Sequence, residues 1–252
     1  MKAMEGGSPA APPQAADRLR WLDLLPVIAF TLLGIVLVFA VLVGLVRSNR
    51  AFYRANLETI SLTATLAVYL AFGAGIAVAL RRLRAPLAFL GLRWPTPRDV
   101  GLTLLLLIPW YLGIIIVSAA SAVVFNGGRI VPSNSRLIFV QRPGGIGLLL
   151  LALLATAVAA PICEEAFFRG MLFRLLRTRV PLWAAVLLSA IAFGLAHASP
   201  AVSPALLPTF MYMGIALAVV YVRTGWLTNN ILLHALSNAI ATVAVYYQTI
   251  AR

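Results

Sequence analysis

The fold is decided around one stretch, Pro161-Ile162-Cys163-Glu164-Glu165-Ala166-Phe167-Phe168-Arg169, which follows the apolar run 147–160 without a turn. Two adjacent carboxylates at the end of a membrane-length apolar segment are costly to keep there, so such residues usually serve a function. Glu164 and Glu165 are also the only acidic residues after Asp99. We therefore expect a membrane protein whose chemistry is centred on this stretch.

The composition supports a membrane location. The chain has 252 residues, of which 62% are hydrophobic and 11% charged, and its mean hydropathy is +0.97. Soluble domains carry about 25% charged residues. Because a membrane-spanning helix takes about 20 residues, the length allows roughly six to eight spans and little else.

The net charge of +13 comes from arginines that bracket the apolar runs. In a soluble chain, so strong a positive charge would suggest nucleic acid as a partner. Here the arginines do not line one helix face, and their placement fits control of topology and contact with anionic headgroups. The expected partner is the lipid bilayer and not nucleic acid. The lone cysteine, Cys163, excludes an intrachain disulfide.

Seven apolar segments predict an all-α, polytopic bundle of about seven transmembrane helices. Residues 1–17 lack apolar periodicity and predict a disordered lead, and residues 18–252 then form a single transmembrane domain. The expected spans are 24–46, 59–80, 100–125, 147 to the break at 179–181, 182–198, 205–222 and 227–247.

Lysine and arginine are divided unequally between the two sides of such a bundle. Of the 20 residues of these types, thirteen fall on the side of the N-terminus and seven on the opposite side. The positive-inside rule then predicts an N-terminus inside the cell.

Polar residues of the later spans occur in pairs with helical spacing. Residues four positions apart share a helix face, and the pairs are Glu165 with Arg169, Phe193 with His197, and His234 with Asn238. Adjacent residues are rotated by about 100°, so Glu164 and Glu165 point to different sides. Because Arg169 would neutralise Glu165, Glu164 is the carboxylate that we expect to act.

Two features predict how these residues meet. If spans four and five form a hairpin that turns near Pro181, Glu164 and His197 each lie about 25 Å from the turn and therefore at one level. Pro161 lacks a backbone donor and should open the helix near the carbonyl of Ala157, which would admit water to the glutamates.

Such a set of side chains suffices for hydrolysis of an amide. Glu164 would act as general base on a water molecule held by His197, while His234 and Asn238 would donate to the oxyanion. A zinc site of Glu164, His197 and His234 with an open water position is an alternative, so zinc is a possible cofactor. The H-E-x-x-H spacing of many zinc proteases is absent, which slightly favours chemistry without a metal.

Three motifs resemble those of the CAAX prenyl endopeptidase-like intramembrane proteases, also called the CPBP or Abi family. They are E-E-x-x-x-R at Glu164, Glu165 and Arg169, F-x-x-x-H at Phe193 and His197, and H-x-x-x-N at His234 and Asn238. The resemblance covers residues 147–247, with the motifs in order on spans four, five and seven.

The resemblance implies an intramembrane endopeptidase with its active site between helices 4, 5 and 7. Glu164 and His197 would activate water, and His234 and Asn238 would stabilise the oxyanion. The substrate would be a membrane-associated peptide or protein, either of CAAX type or a bacteriocin or leader peptide. The location would be a bacterial cytoplasmic membrane.

Alternative functions and roles stay open at this point. A proton-coupled carrier could use Glu164, His197 and His234 as a relay, and a non-catalytic scaffold or bacteriocin-immunity protein could keep the cluster for packing. We expect Glu165, Arg169 and Phe193 to support the site and not to react. A further expectation is that Asn229 and Asn230 supply polarity at a helix start.

Overall fold

The computed structural model describes residues 19–129, 145–199 and 202–251. All regular secondary structure in these ranges is helical, and no strand occurs among the described residues. This confirms the all-α class. The predicted disordered lead, residues 1–17, lies outside the described residues.

Eight helices follow one another in the described ranges, and we label them in order. They are α1 (Leu25–Ser48), α2 (Arg50–Ala55), α3 (Leu57–Arg82), α4 (Pro97–Asn126), α5 (Gly145–Arg177), α6 (Leu182–Ala196), α7 (Leu207–Thr224) and α8 (Leu227–Ile250). Short 3₁₀ turns lie at Trp21–Asp23, Leu87–Leu90 and Pro204–Leu206. Each of the seven predicted apolar segments is therefore helical.

In the described part of the chain, six helices are long and apolar enough to cross a membrane, and α6 is shorter. Its 15 residues span about 22 Å, against a hydrocarbon core of about 30 Å. The helix ends at Ala196, just before His197. Pro200 follows Ser199 in the sequence, and a residue that precedes a proline disfavours the helical conformation. The predicted seven spans thus become six candidate spans and one short helix in an integral membrane bundle.

The fifth helix is not a regular α-helix throughout. Two π-helical segments, Leu154–Ala159 and Phe168–Phe173, flank the α-helical turns Ala160–Phe167 that carry the glutamates. Segments of π-helix within α-helices are rare and occur frequently at functional sites. They change the direction in which the side chains of Glu164 and Glu165 leave the helix.

A polar network ties the start of α4 to the start of α8. Asp99 closes a capping box with Thr96 and accepts two hydrogen bonds from Arg93, at 2.6 and 2.7 Å. The side-chain amide of Asn229 donates to the same carboxylate at 3.0 Å. The backbone N–H of Leu227 donates to the carbonyl of Gly91. These bonds set the position of α8, which carries His234.

Helices α6 and α7 pack closely where Gly214 lies against Ala190. A Cβ atom at Gly214 would come 2.7 Å from the Cα and 3.1 Å from the carbonyl oxygen of Ala190. Both are backbone atoms, so a larger residue can be accommodated only if the helices separate. We expect Gly214→Ala to lower the free energy of unfolding by about 1–3 kcal/mol.

Thermal unfolding of the detergent-solubilised protein measures this effect. Gly44→Ala in α1 is the matched control, because no atom lies within 4 Å of a Cβ at that position. Alanine is the better helix former, so the control should be neutral or slightly more stable. Equal unfolding midpoints for the two variants would contradict the packing argument.

Candidate active site

Glu164 lies at the centre of the cluster, and its two carboxylate oxygens have different surroundings. Oε1 accepts a hydrogen bond from the Tyr69 hydroxyl at 2.5 Å. Oε2 is buried and has no hydrogen-bond partner among the described residues. It lies 3.8 Å from Nε2 of His197 and 3.9 Å from Nε2 of His234. The two histidines and this glutamate therefore meet, as the hairpin geometry predicted for Glu164 and His197.

Both imidazole rings are oriented through Nδ1. In His197 this atom contacts the carbonyl oxygen of Phe193 at 2.8 Å, and in His234 it contacts Oε1 of Glu165 at 3.0 Å. Since both partners are oxygen acceptors, we assign a proton to each Nδ1. The Nε2 atoms then face Oε2 of Glu164, and polar atoms at such separations are commonly bridged by water.

Glu165 is fully buried and holds three side chains together. Its carboxylate accepts from Nη1 of Arg169 at 2.7 Å, from Nδ2 of Asn230 at 3.3 Å, and contacts His234. Arg169 is also fully buried and donates to the carbonyl of Gly214 at 3.0 Å. The predicted pairing of Glu165 with Arg169 is present. Glu165 also fixes the ring of His234, for which the sequence predicted only Asn238 as a partner.

The two asparagines at the start of α8 have more specific contacts than the expected helix-start polarity. Asn229 binds Asp99 at 3.0 Å. Asn230 bridges Glu165 and the carbonyl of Leu217, with a distance of 2.7 Å to the latter. Both are buried. The expectation that the two asparagines only make the start of the helix polar is therefore wrong, because both side chains link α8 to other parts of the bundle.

Asn238 lies one turn beyond His234 and binds the carbonyl of Thr156 at 2.8 Å. This carbonyl lacks a backbone partner for a definite reason. In the π-helical segment the N–H of Ala160 bonds to the carbonyl of Ala155, five residues back. The next donor in that register would come from Pro161, which has none. The carbonyl without a backbone donor is thus that of Thr156, one residue earlier than the carbonyl of Ala157 that α-helical spacing predicted. Asn238 uses one amide N–H for this bond, and its second N–H remains for another acceptor.

The ring of His197 is held between two phenylalanines. Its centroid lies 4.6 Å from that of Phe193 and 4.6 Å from that of Phe210, with the second pair nearly parallel. Phe193 is fully buried and also lies under the guanidinium of Arg169 at 4.7 Å. This placement agrees with the supporting position expected for Phe193. Phe210 was not predicted.

A cavity of about 620 Å³ contains the cluster. Glu164, His197, His234 and Asn238 line it together with hydroxyl-bearing residues of α3, α4, α5, α7 and α8. None of the described lining residues is lysine or arginine. The site is thus formed by α5, α6 and α8, which are the predicted spans four, five and seven, and is enclosed by further helices.

The side chains as they stand do not fit the zinc alternative. Ligands at about 2.0–2.1 Å from one tetrahedral zinc ion lie about 3.3 Å from each other. The separations of 3.8 and 3.9 Å between Glu164 and the histidines are longer. No group of three or more His, Cys, Asp or Glu among the described residues is arranged to hold a metal ion.

Residues that the sequence did not reveal complete the site, notably Tyr69, Phe210, Asn230 and Thr156. Tyr69 lies 95 residues before Glu164, so no local spacing connects the two. One signal was present in the sequence. Tyrosine is enriched at membrane interfaces, whereas Tyr69 falls in the middle of the predicted second span.

Comparisons with known proteins point to one family. Residues 146–240 match the family model described as Type II CAAX prenyl endopeptidase Rce1-like. The chain is 27% identical over 156 residues to an uncharacterized 24.3 kDa protein of Escherichia coli. The aligned residues are 61% of this chain and 67% of that protein. No solved structure matches the chain.

The matched segment contains Glu164, Glu165, Arg169, Phe193, His197, His234 and Asn238, so all three motifs lie within it. The resemblance seen in the motifs is confirmed by this match. Residues 146–240, the part of the chain that carries this site, are thus similar to the Rce1-like family of type II CAAX prenyl endopeptidases.

Proposed function

We propose that this protein is a glutamate-dependent intramembrane endopeptidase that hydrolyses a peptide bond near or within the bilayer. One observation carries the proposal. Oε2 of Glu164 is buried without a protein partner among the described residues and lies within 4 Å of the Nε2 atoms of two oriented imidazoles. The match of residues 146–240 to a protease family model supports the same class of reaction.

The reaction begins with a water molecule between Glu164 and His197. Oε2 of Glu164 accepts a proton from the water, and the oxygen attacks the carbonyl carbon of the peptide bond. The carbonyl π electrons move to its oxygen, which becomes an oxyanion. The C–N bond then breaks, and the proton held by Glu164 passes to the leaving nitrogen. The products are a carboxylic acid and an amine.

His234 and Asn238 are suited to stabilise the oxyanion. His234 donates Nδ1–H to Glu165, so its Nε2 is directed toward Glu164 and the cavity, and a proton on this nitrogen would be donated to the oxyanion. Asn238 retains one amide N–H beyond the bond to Thr156. Removal of one such donor in well-studied enzymes costs about 2.7–4 kcal/mol of transition-state stabilisation.

The cavity restricts the segment of substrate that can enter. Its volume of about 620 Å³ admits a short extended peptide and not a folded domain. Because its described lining holds no lysine or arginine, it favours an uncharged segment over an acidic one. We therefore propose a CAAX-type substrate, in which apolar residues follow a prenylated cysteine near the C-terminus. A bacteriocin or leader peptide with an apolar segment is the second candidate.

We also propose that the N-terminus lies on the cytoplasmic side of the membrane. The excess of arginine on the N-terminal side predicts that this side faces the cytoplasm. Two indoles on that side, Trp94 and Trp183, are 91% and 68% exposed, as expected of side chains that contact the interface. Cysteine accessibility at the two termini of an engineered chain would test the assignment.

Cleavage by the purified protein in liposomes tests the function. The probes are a farnesylated CAAX peptide, the same peptide without the lipid, and a mixed peptide pool, with products identified by mass spectrometry. We expect cleavage of the farnesylated peptide at a single bond. Proton flux into the liposomes without cleavage of any probe would instead favour a carrier.

Metal removal separates the two chemistries that the sequence allowed. We expect cleavage to persist after dialysis against EDTA and 1,10-phenanthroline, and the active protein to contain far less than one zinc per chain. The physical reason is the poor fit of Glu164, His197 and His234 to a tetrahedral ion. A zinc protease treated in parallel is the control. Stoichiometric zinc, together with a rate that falls on chelation and returns with zinc, would overturn the metal-free mechanism.

A further inference from the structure

Tyr69 lies in the middle of α3 and reaches across to the glutamates of α5. Its ring lines the cavity, and its hydroxyl donates to Oε1 of Glu164 at 2.5 Å. This is a short hydrogen bond of the kind formed with a charged acceptor. Tyr69 lies outside residues 146–240, so the family match does not include it.

Two neighbours, Phe72 of α3 and Cys163 of α5, contact Tyr69. The ring of Phe72, one turn later, lies nearly parallel to it at 6.4 Å, and Phe72 in turn contacts Phe167 of α5 edge to face. The thiol of Cys163 donates to the Tyr69 carbonyl at 3.5 Å. The contacts of α3 with α5 therefore hold the backbone and the ring together.

We propose that Tyr69 is a positioning residue that selects which oxygen of Glu164 reacts. A carboxylate has two equivalent oxygens and a soft terminal torsion, so an unanchored group would rotate between several orientations. The bond from Tyr69 engages Oε1, and the opposite oxygen, Oε2, then faces both histidines. The hydroxyl thus holds the base in the orientation that the hydrolysis needs.

This role predicts an effect on the chemical step and not on substrate binding. The Tyr69 hydroxyl is engaged by Glu164. Its loss should therefore reduce the fraction of time that Oε2 is aligned and leave the affinity for the peptide unchanged. Hydrogen bonds to charged groups of this type correspond to about a 10- to 100-fold change.

Tyr69→Phe tests the inference, which rests on the proposed function. With the farnesylated CAAX peptide in liposomes, we expect kcat to fall about 10- to 100-fold and KM to change less than about twofold. Tyr212→Phe is the matched control, since it also removes a hydroxyl from a bond between helices, here to the carbonyl of Pro109 at 3.0 Å. Tyr212 is not among the residues that line the cavity, so the control should keep its kcat.

A double-mutant comparison distinguishes positioning from general loosening of the bundle. Glu164→Asp withdraws the carboxylate by one methylene, so Tyr69 no longer holds it. We expect Tyr69→Phe to cause little further loss of kcat in that background. The same fold loss in both backgrounds, or a wild-type kcat for Tyr69→Phe alone, would overturn the inference.

A spectroscopic measurement keeps the inference testable even if no probe is cleaved. The infrared difference between wild type and Tyr69→Phe should contain a shifted carboxyl band of Glu164, and the band should vanish when both proteins also carry Glu164→Gln. Absence of the band would show that the bond is not made. If Glu164→Gln cleaves as fast as wild type, the proposed function itself fails, which is a different outcome from full activity of Tyr69→Phe.

Discussion

Replacing Glu164 by glutamine is expected to lower kcat for peptide cleavage by about 10³-fold or more, with the fold retained. Glutamine has nearly the same size, and its amide oxygen can still accept the hydrogen bond of Tyr69. It cannot accept a proton from water at neutral pH. The remaining rate would come from the oxyanion donors and from substrate binding alone.

The measurement is cleavage of the farnesylated CAAX peptide under single-turnover conditions, together with the unfolding midpoint of each variant. Glu164→Asp is the matched control, because it keeps a carboxylate while moving it away from His197 and His234. We expect this variant to retain more activity than the glutamine variant. Cleavage by Glu164→Gln at the wild-type rate, with an intact fold, would rule out a general base at this position.

Contacts within one helix, or between two helices joined by a short turn, could be predicted from the sequence. Glu165 and Arg169 pair because residues four apart share a helix face. Glu164 and His197 meet because their distances along α5 and α6 from the turn near Pro181 are similar. The first prediction uses only the helical period, and the second uses only the helical rise and the position of the turn.

Contacts between helices distant in sequence could not be predicted in the same way. The bond between His234 and Glu165 depends on the rotation of α8 about its own axis. That rotation is set by the network of Asp99 with Asn229 and by the bond of Asn230 to Leu217. The pattern of apolar residues in a single sequence does not determine this rotation. The contact of Tyr69 with Glu164 could not be predicted for the same reason, since it depends on the rotation of α3 relative to α5.

The length of α6 shows a second limit. The apolar composition of residues 182–198 is sufficient for a span, yet the helix ends at Ala196 and is 15 residues long. An early end places His197 at a helix terminus, where its ring can lie between Phe193 and Phe210. Hydropathy measures whether a segment tolerates lipid, but it does not determine where within the membrane the helix stops.

Replacement of Arg169 by leucine should destabilise the protein by about 3–5 kcal/mol, the largest stability effect that we expect. Arg169 and Glu165 are both fully buried and form an ion pair at 2.7 Å. Without the guanidinium, the carboxylate of Glu165 would keep His234 and Asn230 but lose its charged partner. An uncompensated charge in an apolar bundle is costly because neither water nor a counterion can reach it.

Removing both charges should cost much less than removing one. In the double variant Glu165→Gln with Arg169→Met, no buried charge is left unpaired, so we expect most of the lost stability to return. Activity should not return in full, because the amide oxygen at position 165 accepts the Nδ1–H of His234 without the charge of a carboxylate and therefore holds the ring more weakly. Unfolding midpoints in detergent and cleavage rates in liposomes would be compared for wild type, the single variant and the double variant. A single variant as stable as wild type would show that Glu165 does not depend on Arg169. Recovery of stability without recovery of cleavage would show that the ion pair stabilises the fold, whereas the charge of Glu165 is needed to orient His234 for the reaction.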